Sequence, residues 1–284
     1  MTITHLWTRL TSKQHEDAWV ERLLFAGPEN LVIKAFPASR TLRLQIYTNE
    51  ALSKRLVKLF GGSVRPFRMA TWKPPEIKRS IPLKIAGGLR LHNDRELFLE
   101  DRKKKTGYPL LIPAEMAFGT GEHATTRSCL RILSGIASEV PQKNWSFLDL
   151  GTGSGILALA AELFGAQKIL GIDFDQRCVK VSRANAKANQ LLKTKWEHAD
   201  LLQWKIPGTW QVIAANIYSS VLSVAAPKIV KALAPQGHLI LSGILACEIS
   251  EVEKLFCDLG LKKVRVIIQG KWGALQLQCY TFHE

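Results

Sequence analysis

Phe147-Leu148-Asp149-Leu150-Gly151-Thr152-Gly153-Ser154-Gly155-Ile156-Leu157-Ala158 reads as an apolar strand, a glycine turn and an apolar helix in immediate succession. That order lets an α/β protein bring bare backbone against a nucleoside-containing ligand. Glycine serves the turn twice, by admitting positive φ and by carrying no Cβ to hold a ligand away. A helix opening near Ser154 presents unpaired N–H groups and the positive end of its dipole, which suits an anionic group.

Further strands place polar residues along the same edge. Gln167 to Asp173 is an apolar run that ends in a carboxylate, and an acid there can accept hydrogen bonds from both hydroxyls of a ribose. Trp196 to Asp200 is a third strand with an acid at its end. Gln211 to Tyr218 is a fourth, and it carries Asn216. Ligands of open α/β sheets bind outside the carboxyl ends of the strands, where strand order reverses, so Gly151, Gly153, Asp173, Asp200 and Asn216 are expected in one crevice. Asp173 could otherwise serve only as a helix cap, and Asn216 as a plain turn residue.

The glycines permit two ligand readings. From Gly153 they spell G-x-G-x-x-A, a dinucleotide fingerprint. From Gly151 they spell D-x-G-x-G-x-G, which resembles the first motif of Rossmann-like S-adenosylmethionine (SAM) methyltransferases. The end of the chain separates the two. Lys263 to Ile268 and Leu275 to Phe282 are joined only by a turn containing Gly270 and Gly273, so the last pair of strands must be antiparallel. SAM methyltransferases of this class end that way, whereas dinucleotide domains end in helix-linked parallel strands.

Ahead of the sheet stands Ala117-Phe118-Gly119-Thr120-Gly121-Glu122-His123-Ala124-Thr125-Thr126. Thr125 or Thr126 is expected to cap a helix with Arg127 to Leu133 as its body. Phe118, Gly119 and Gly121 suggest a loop folding closely over a ligand. Together with Asp149-Leu150-Gly151-Thr152-Gly153-Ser154-Gly155 and Ala215-Asn216-Ile217, this stretch resembles the ribosomal protein L-eleven methyltransferase family over about residues 113 to 260. The resemblance is weaker upstream, where Trp72-Lys73 matches a recurring family pair. It implies SAM as cofactor, with contacts at Thr126, Gly151, Asp173 and Asn216. It implies methylation of amino groups on one large-subunit ribosomal protein, and a small recognition domain in front of the catalytic one. The chain departs from the family in reading Ile112-Pro113-Ala114-Glu115-Met116 where Asp-Pro-Gly is usual. Gly153, Asp200, Phe118 and Gly119 complete the expected cofactor site. Asn216 is the candidate for positioning the acceptor, Phe118 for walling the methyl channel, and His123 for either a base or a structural donor. Asn216-Ile217-Tyr218-Ser219 lacks the Asn-Pro-Pro-Tyr clamp for planar amino groups, which favours a flexible amine as acceptor.

The fold expected is α/β: a Rossmann-like methyltransferase sheet with an antiparallel final strand, preceded by a small ferredoxin-like α+β domain. Residues 1–72 alternate strand, helix, strand, strand, helix, strand. In that stretch Thr11-x-x-Gln14 reads as a capping box opening the first helix, and Asn49 opens the second. One sheet face is expected under two helices and the other free for a partner. Residues 73–113 read as a linker punctuated by Pro74-Pro75, Pro82 and Gly87-Gly88, and 114–284 as the SAM-binding domain.

Composition narrows the classes further. The chain has 284 residues, 46% of them hydrophobic, and no apolar run of the roughly 18 residues a membrane helix needs. No secretory h-region follows Met1. Five scattered cysteines without C-x-x-C pairing argue against a disulfide framework or a metal site, and for a reducing cytoplasm. A net charge of +15 points to an acidic or nucleic-acid-rich partner, either a ribosomal protein in its setting or bare RNA. Arg102-Lys103-Lys104-Lys105, the densest basic run, reads as a solvated linker face. An RNA methyltransferase and an NAD-dependent oxidoreductase remain the competing functions.

Overall fold

The protein is described by a computed structural model covering residues 4–12, 19, 23, 26, 31–36, 40–66, 82–113, 123–140 and 144–280. The chain divides into two compact units, Met1–Lys78 and Arg79–Glu284.

The first unit is a four-stranded antiparallel sheet of order β2-β3-β1-β4. Its strands are β1 (His5–Ser12), β2 (Leu31–Ala35), β3 (Thr41–Thr48) and β4 (Ser63–Pro66). That order is the one the split ferredoxin-like motif produces. Helix α1 (Glu50–Phe60) starts where the Asn49 side chain accepts the Leu52 N–H at 2.8 Å. It stops at Gly61, whose φ of 67° lets its own N–H reach the Val57 carbonyl. Trp7, Leu44, Ile46 and Leu56 form the core with Trp19 and Leu23, two helical residues one turn apart.

Two expectations for this unit change. Thr11 does not cap a helix: β1 runs on to Ser12, and Thr11 and Ser12 pair with Leu42 and Thr41. The long partner β3 offers ladder positions that a β-branched residue fills well, and these outweigh the local capping signal. The residues between Lys13 and Ala18 lie outside those described. The residues of the second sheet face are not all exposed either. Leu6 (1% exposed) and Gln45 (6%) alternate with Trp7 and with Leu44 and Ile46, so they face away from the core, yet they are buried.

The second unit is built on a seven-stranded sheet of order β10-β9-β8-β11-β12-β14-β13. The strands are β8 (Ser146–Leu150), β9 (Lys168–Asp173), β10 (Thr194–His198), β11 (Trp210–Asn216), β12 (Leu233–Leu245), β13 (Leu261–Gln269) and β14 (Trp272–Cys279). From β10 through β12 every pairing is parallel; β14 alone runs against both neighbours, as the short final turn requires. Chain order reverses between β8 and β11, which creates the crevice where such sheets hold ligands.

Helices α3 (Ala124–Glu139) and α4 (Ile156–Leu163) belong to the core on one side of the sheet, and α6 (Ser219–Lys231) and α7 (Ile249–Asp258) to that on the other. Helix α5 (Gln176–Asn189) connects β9 to β10.

Residues 82–113 are not a linker but part of this unit. β5 (Leu83–Lys84), β6 (Leu89–His92) and β7 (Tyr108–Leu111) form a second sheet, with α2 (Arg95–Lys103) crossing from β6 to β7. Leu89, Leu91, Leu110 and Ile112 enter the same core as α3 and α4. Asn189 of α5 binds the Leu111 backbone as a strand would, accepting its N–H at 2.8 Å and donating to its carbonyl at 2.7 Å. The glycines and prolines that suggested a join are the turns between very short strands.

Candidate active site

The glycine turn is held open by its neighbours. Gly151 (φ 74°) and Thr152 both donate their N–H to the Ile172 carbonyl, at 3.0 and 2.8 Å, which ties the loop to the end of β9. A Cβ on Gly151 would run into Ile217. One on Gly155 (φ 82°) would come within 2.8 Å of both Ser182 and the Trp196 ring. Helix α4 then begins at Ile156 with Gly155 as its N-cap and no side-chain cap, slightly later than the sequence suggested. The Ala158 N–H of its first turn meets Asp149, and the two N–H groups ahead of it point to an external acceptor.

Asp173 closes the loop's other flank. It is 6% exposed, and its two carboxylate oxygens accept the N–H groups of Gly153 and Asp175, each at 2.9 Å. Each oxygen keeps a second lone pair. Asp173 thus both shapes the turn and remains able to accept from a ligand hydroxyl.

Asp200 sits two residues past β10, exposed, with its side chain accepting the Leu202 N–H at 2.9 Å. The backbone just before it meets the Asp173 carbonyl through the Ala199 N–H at 3.0 Å, which sets Asp200 past the C-terminal end of β9. Sequence reading missed what holds this loop: Lys228 of α6 donates from Nζ to the Leu201 and Leu202 carbonyls at 2.7 and 2.8 Å. A contact across 27 residues leaves no local signal.

Asn216 ends β11 in register with Ser242 of β12, two positions beyond the Ala214–Asp149 pair. The next residue, Ile217, donates its N–H to the Ser242 carbonyl at 3.1 Å, and a Cβ on Gly243 would strike the Ile217 backbone. The turn is therefore pinned between two glycines.

Thr126 lies inside the first turn of α3, buried, one turn ahead of Cys129. Burial pushes the Cys129 thiol up to about 12, with the Ser242 hydroxyl and the Asp149 charge acting on it, which locates this helix face beside β8 and β12. Neither Thr125 nor Thr126 is the cap. His123 is: its Nδ1 accepts the Thr125 hydroxyl at 2.7 Å and, more weakly, the Thr125 N–H at 3.4 Å, and its ring packs edge-on against Trp272. An imidazole ring bound in this way is a capping group. Phe118 and Gly119 lie outside the described residues.

Asp149 was visible in D-x-G-x-G-x-G but not counted among the site residues. It is fully buried, with Oδ2 accepting the Thr152 hydroxyl at 2.6 Å. Burial pushes its carboxyl up to about 7; the Thr152 hydroxyl and the Ala158 backbone N–H oppose the shift and the nearby Asp173 charge adds to it.

One pattern tests whether a polar cofactor fits. Among the described residues ten side chains carry a buried nitrogen or oxygen without a hydrogen-bond partner, and three of these atoms, Thr126 Oγ1, Asp149 Oδ1 and Asn216 Oδ1, fall in one region. It is their shared place, rather than the lack of a partner by itself, that points to a ligand. All three belong to the α3, β8 and β11 residues that border the reversal of strand order, and a ligand with several donors would satisfy them. Among the described residues, no cluster of His, Cys, Asp and Glu could hold a metal ion, and no helix is long and apolar enough to cross a membrane.

Comparison with known proteins bears on the same region. A family model described as ribosomal protein L11 methyltransferase (PrmA) matches residues 9–279. A ribosomal protein L11 methyltransferase of Syntrophotalea carbinolica is 41% identical over 171 residues, covering 60% of this chain and 54% of its own. Those of Chloroflexus aurantiacus and Thermus thermophilus are 37% and 36% identical, covering 63% and 59% of this chain and 60% and 63% of their own. The chain thus spans between about half and two thirds of the length of these curated relatives. Among solved structures, a ribosomal protein L11 methylase from Lactobacillus delbrueckii subsp. bulgaricus superposes with a TM-score of 0.61 at 24% identity, over 70% of this chain and 99% of that one, and it shares the fold.

Proposed function

The chain belongs to the ribosomal protein L11 methyltransferase family, and from that premise we propose that it transfers methyl groups from SAM to amino groups of a large-subunit ribosomal protein, a reaction of the cytoplasm. The observation that carries the reading is the trio of buried, unpartnered oxygens on Thr126, Asp149 and Asn216 beside an uncapped glycine turn. When bound, SAM supplies an electrophilic methyl on a sulfonium.

The protein's share is to bind and orient. The Gly151–Gly155 turn offers backbone, Asp173 accepts from the ribose, and Asp149 and Thr126 receive polar groups of the cofactor. The loop after Asp200, tied down by Lys228, borders the adenine end. Asn216 presents its free Oδ1 to the incoming amine. Phe118 and Gly119 are assigned to cover the cofactor. An amine must be neutral to attack, and a lysine near pKa 10.4 is almost wholly charged at neutral pH. Desolvation in the crevice and a nearby cation both lower that value, so no dedicated base is required. His123, occupied as a helix cap, is not assigned as one. The unit Met1–Lys78 is assigned to recognise the protein substrate.

Incubation with labelled SAM and purified large-subunit ribosomal proteins tests the reading: label should enter one protein and survive nuclease. Label confined to RNA, or NAD binding in place of SAM binding, overturns it. Asn216→Ala should lower kcat by about 100-fold, the scale expected when a reacting group is mispositioned by about 1 Å, while the Kd for SAM changes only a few-fold. An unchanged kcat would reduce Asn216 to a turn residue.

A further inference from the structure

Residues 176–196 contain Arg177, Lys180, Arg183, Lys187, Lys193 and Lys195 and not one carboxylate. Helix α5 buries Val179, Ser182, Asn185, Ala186 and Asn189, so Lys180, Arg183 and Lys187 stand on the opposite, outward face. Arg183 donates to the Trp196 carbonyl of edge strand β10 at 2.9 Å, joining this face to Lys195. At the other end of α5, Arg102 donates to the Gln190 side chain at 2.8 Å. That bond brings the basic run Arg102–Lys105, 88 residues away in sequence, onto the same surface. The run is exposed, as expected of a solvated face, but it closes α2 rather than forming a linker.

Between the two basic segments is a cavity of about 220 Å³ lined by Arg102, Lys105, Tyr108 and Gln190, among others. It combines two cations, the half-exposed ring of Tyr108 and a carboxamide. Elsewhere the charge of the unit is nearly balanced: residues 248–271, at the far sheet edge, carry five cations against four carboxylates.

We propose that the α2–α5 face binds the phosphate backbone of RNA, with an unstacked base or its phosphate entering the Arg102–Tyr108 cavity. A row of cations in excess over the neighbouring acids, with Arg177 paired to Asp175, Lys104 to Asp101 and Glu197 beside Lys195, fits a polyanion of regular charge spacing. An aromatic face beside a guanidinium and an amide fits a nucleobase better than an acidic side chain. A membrane is disfavoured, because the exposed apolar groups near this face, Leu99, Phe174, Leu192 and part of Tyr108, are separated from one another along the chain by cations rather than gathered in one patch. The face is distinct from the methyl-transfer crevice; only the choice of RNA over DNA rests on the ribosomal reading above.

The test measures binding of a fluorescein-labelled RNA stem-loop to the full chain by anisotropy over a range of salt. About five phosphate contacts predict that log K falls against log salt with a slope of about −3.5 to −4.5. The combined variant Lys103→Gln, Lys105→Gln, Lys180→Gln, Lys187→Gln should flatten that slope by about 3 and weaken binding by about 30-fold at physiological salt. A control variant with Lys254, Lys262, Lys263 and Lys271 changed to Gln removes the same net charge at the far edge and should bind nearly as wild type. Equal losses in both variants, or tighter binding of polyglutamate, of anionic vesicles or of a DNA duplex than of RNA, would overturn the proposal. SAM binding, measured in parallel by calorimetry, should be unchanged in both variants, so failure here is separable from failure of the methyltransferase reading.

Discussion

Asp173→Ala is expected to weaken SAM binding by about 2 to 4 kcal/mol, roughly 30- to 1,000-fold in Kd. Two losses combine. A carboxylate that accepts from a ribose contributes the larger share, because hydrogen bonds to charged acceptors exceed those between neutral groups. The second loss lies in the protein itself. Gly153 and Asp175 each give their N–H to Asp173 at 2.9 Å, so alanine leaves both donors unpaired and releases the glycine turn at its middle. Asp173→Asn separates the two contributions, since an amide oxygen can retain one of those N–H bonds but only one. It should bind SAM with intermediate affinity, and its melting temperature should stay closer to wild type than that of the alanine variant. Calorimetry with SAM and thermal unfolding of the free protein give both quantities. Unchanged affinity in Asp173→Ala would leave Asp173 only as the brace of the glycine turn, the cap of α5 being Asp175.

The glycine turn and the strand ends were legible because each is a local pattern. An apolar run followed by glycines has few physical solutions, and Gly270 between two short alternating runs forces the antiparallel end. Asn49 and Gly61 bracketed α1 for the same reason. The misreadings share the opposite property. Thr11 obeys its partner strand β3 rather than the capping pattern that begins at it. Residues 82–113 fold because Asn189, far along the chain, supplies the hydrogen bonds that β7 lacks on one side. His123 displaces the threonines as cap, although Thr125 and Thr126 are the better capping residues by type, because its ring is braced by Trp272. At the candidate site, Asp173 is readable from its place at the end of an apolar strand, whereas Asp149, buried within the motif itself, is not. Nor are Lys228 and Asn185, which hold the site from distant helices.

Asp149 is the residue whose replacement should show the largest opposition between stability and binding. Its carboxyl is pushed up to about 7 in the folded protein, against an ordinary value of 3.8, chiefly by burial. Between about pH 4 and 7 the folded state therefore keeps a proton that the unfolded chain has released. Stability falls as pH rises through that window and is flat above it, and the full cost above pH 7 is about 4 kcal/mol. Asp149→Asn cannot ionise, yet its amide oxygen can still accept the Thr152 hydroxyl. Urea midpoints should thus show the ligand-free variant more stable than wild type by about 2 to 4 kcal/mol at pH 8, with the gap closing by about pH 4. Binding should move the other way. Beyond the Thr152 hydroxyl and the Ala158 N–H the Asp149 carboxylate keeps lone pairs free, and a cationic cofactor set against it favours the ionised form. Wild-type protein should then bind SAM about tenfold more tightly at pH 8 than at pH 6, as linkage to a group titrating near 7 requires. The asparagine variant should bind more weakly and lose that dependence. If wild type and variant instead show the same pH profile for SAM, Asp149 does not face the cofactor's charge, and its buried carboxyl serves only to hold Thr152 in the turn.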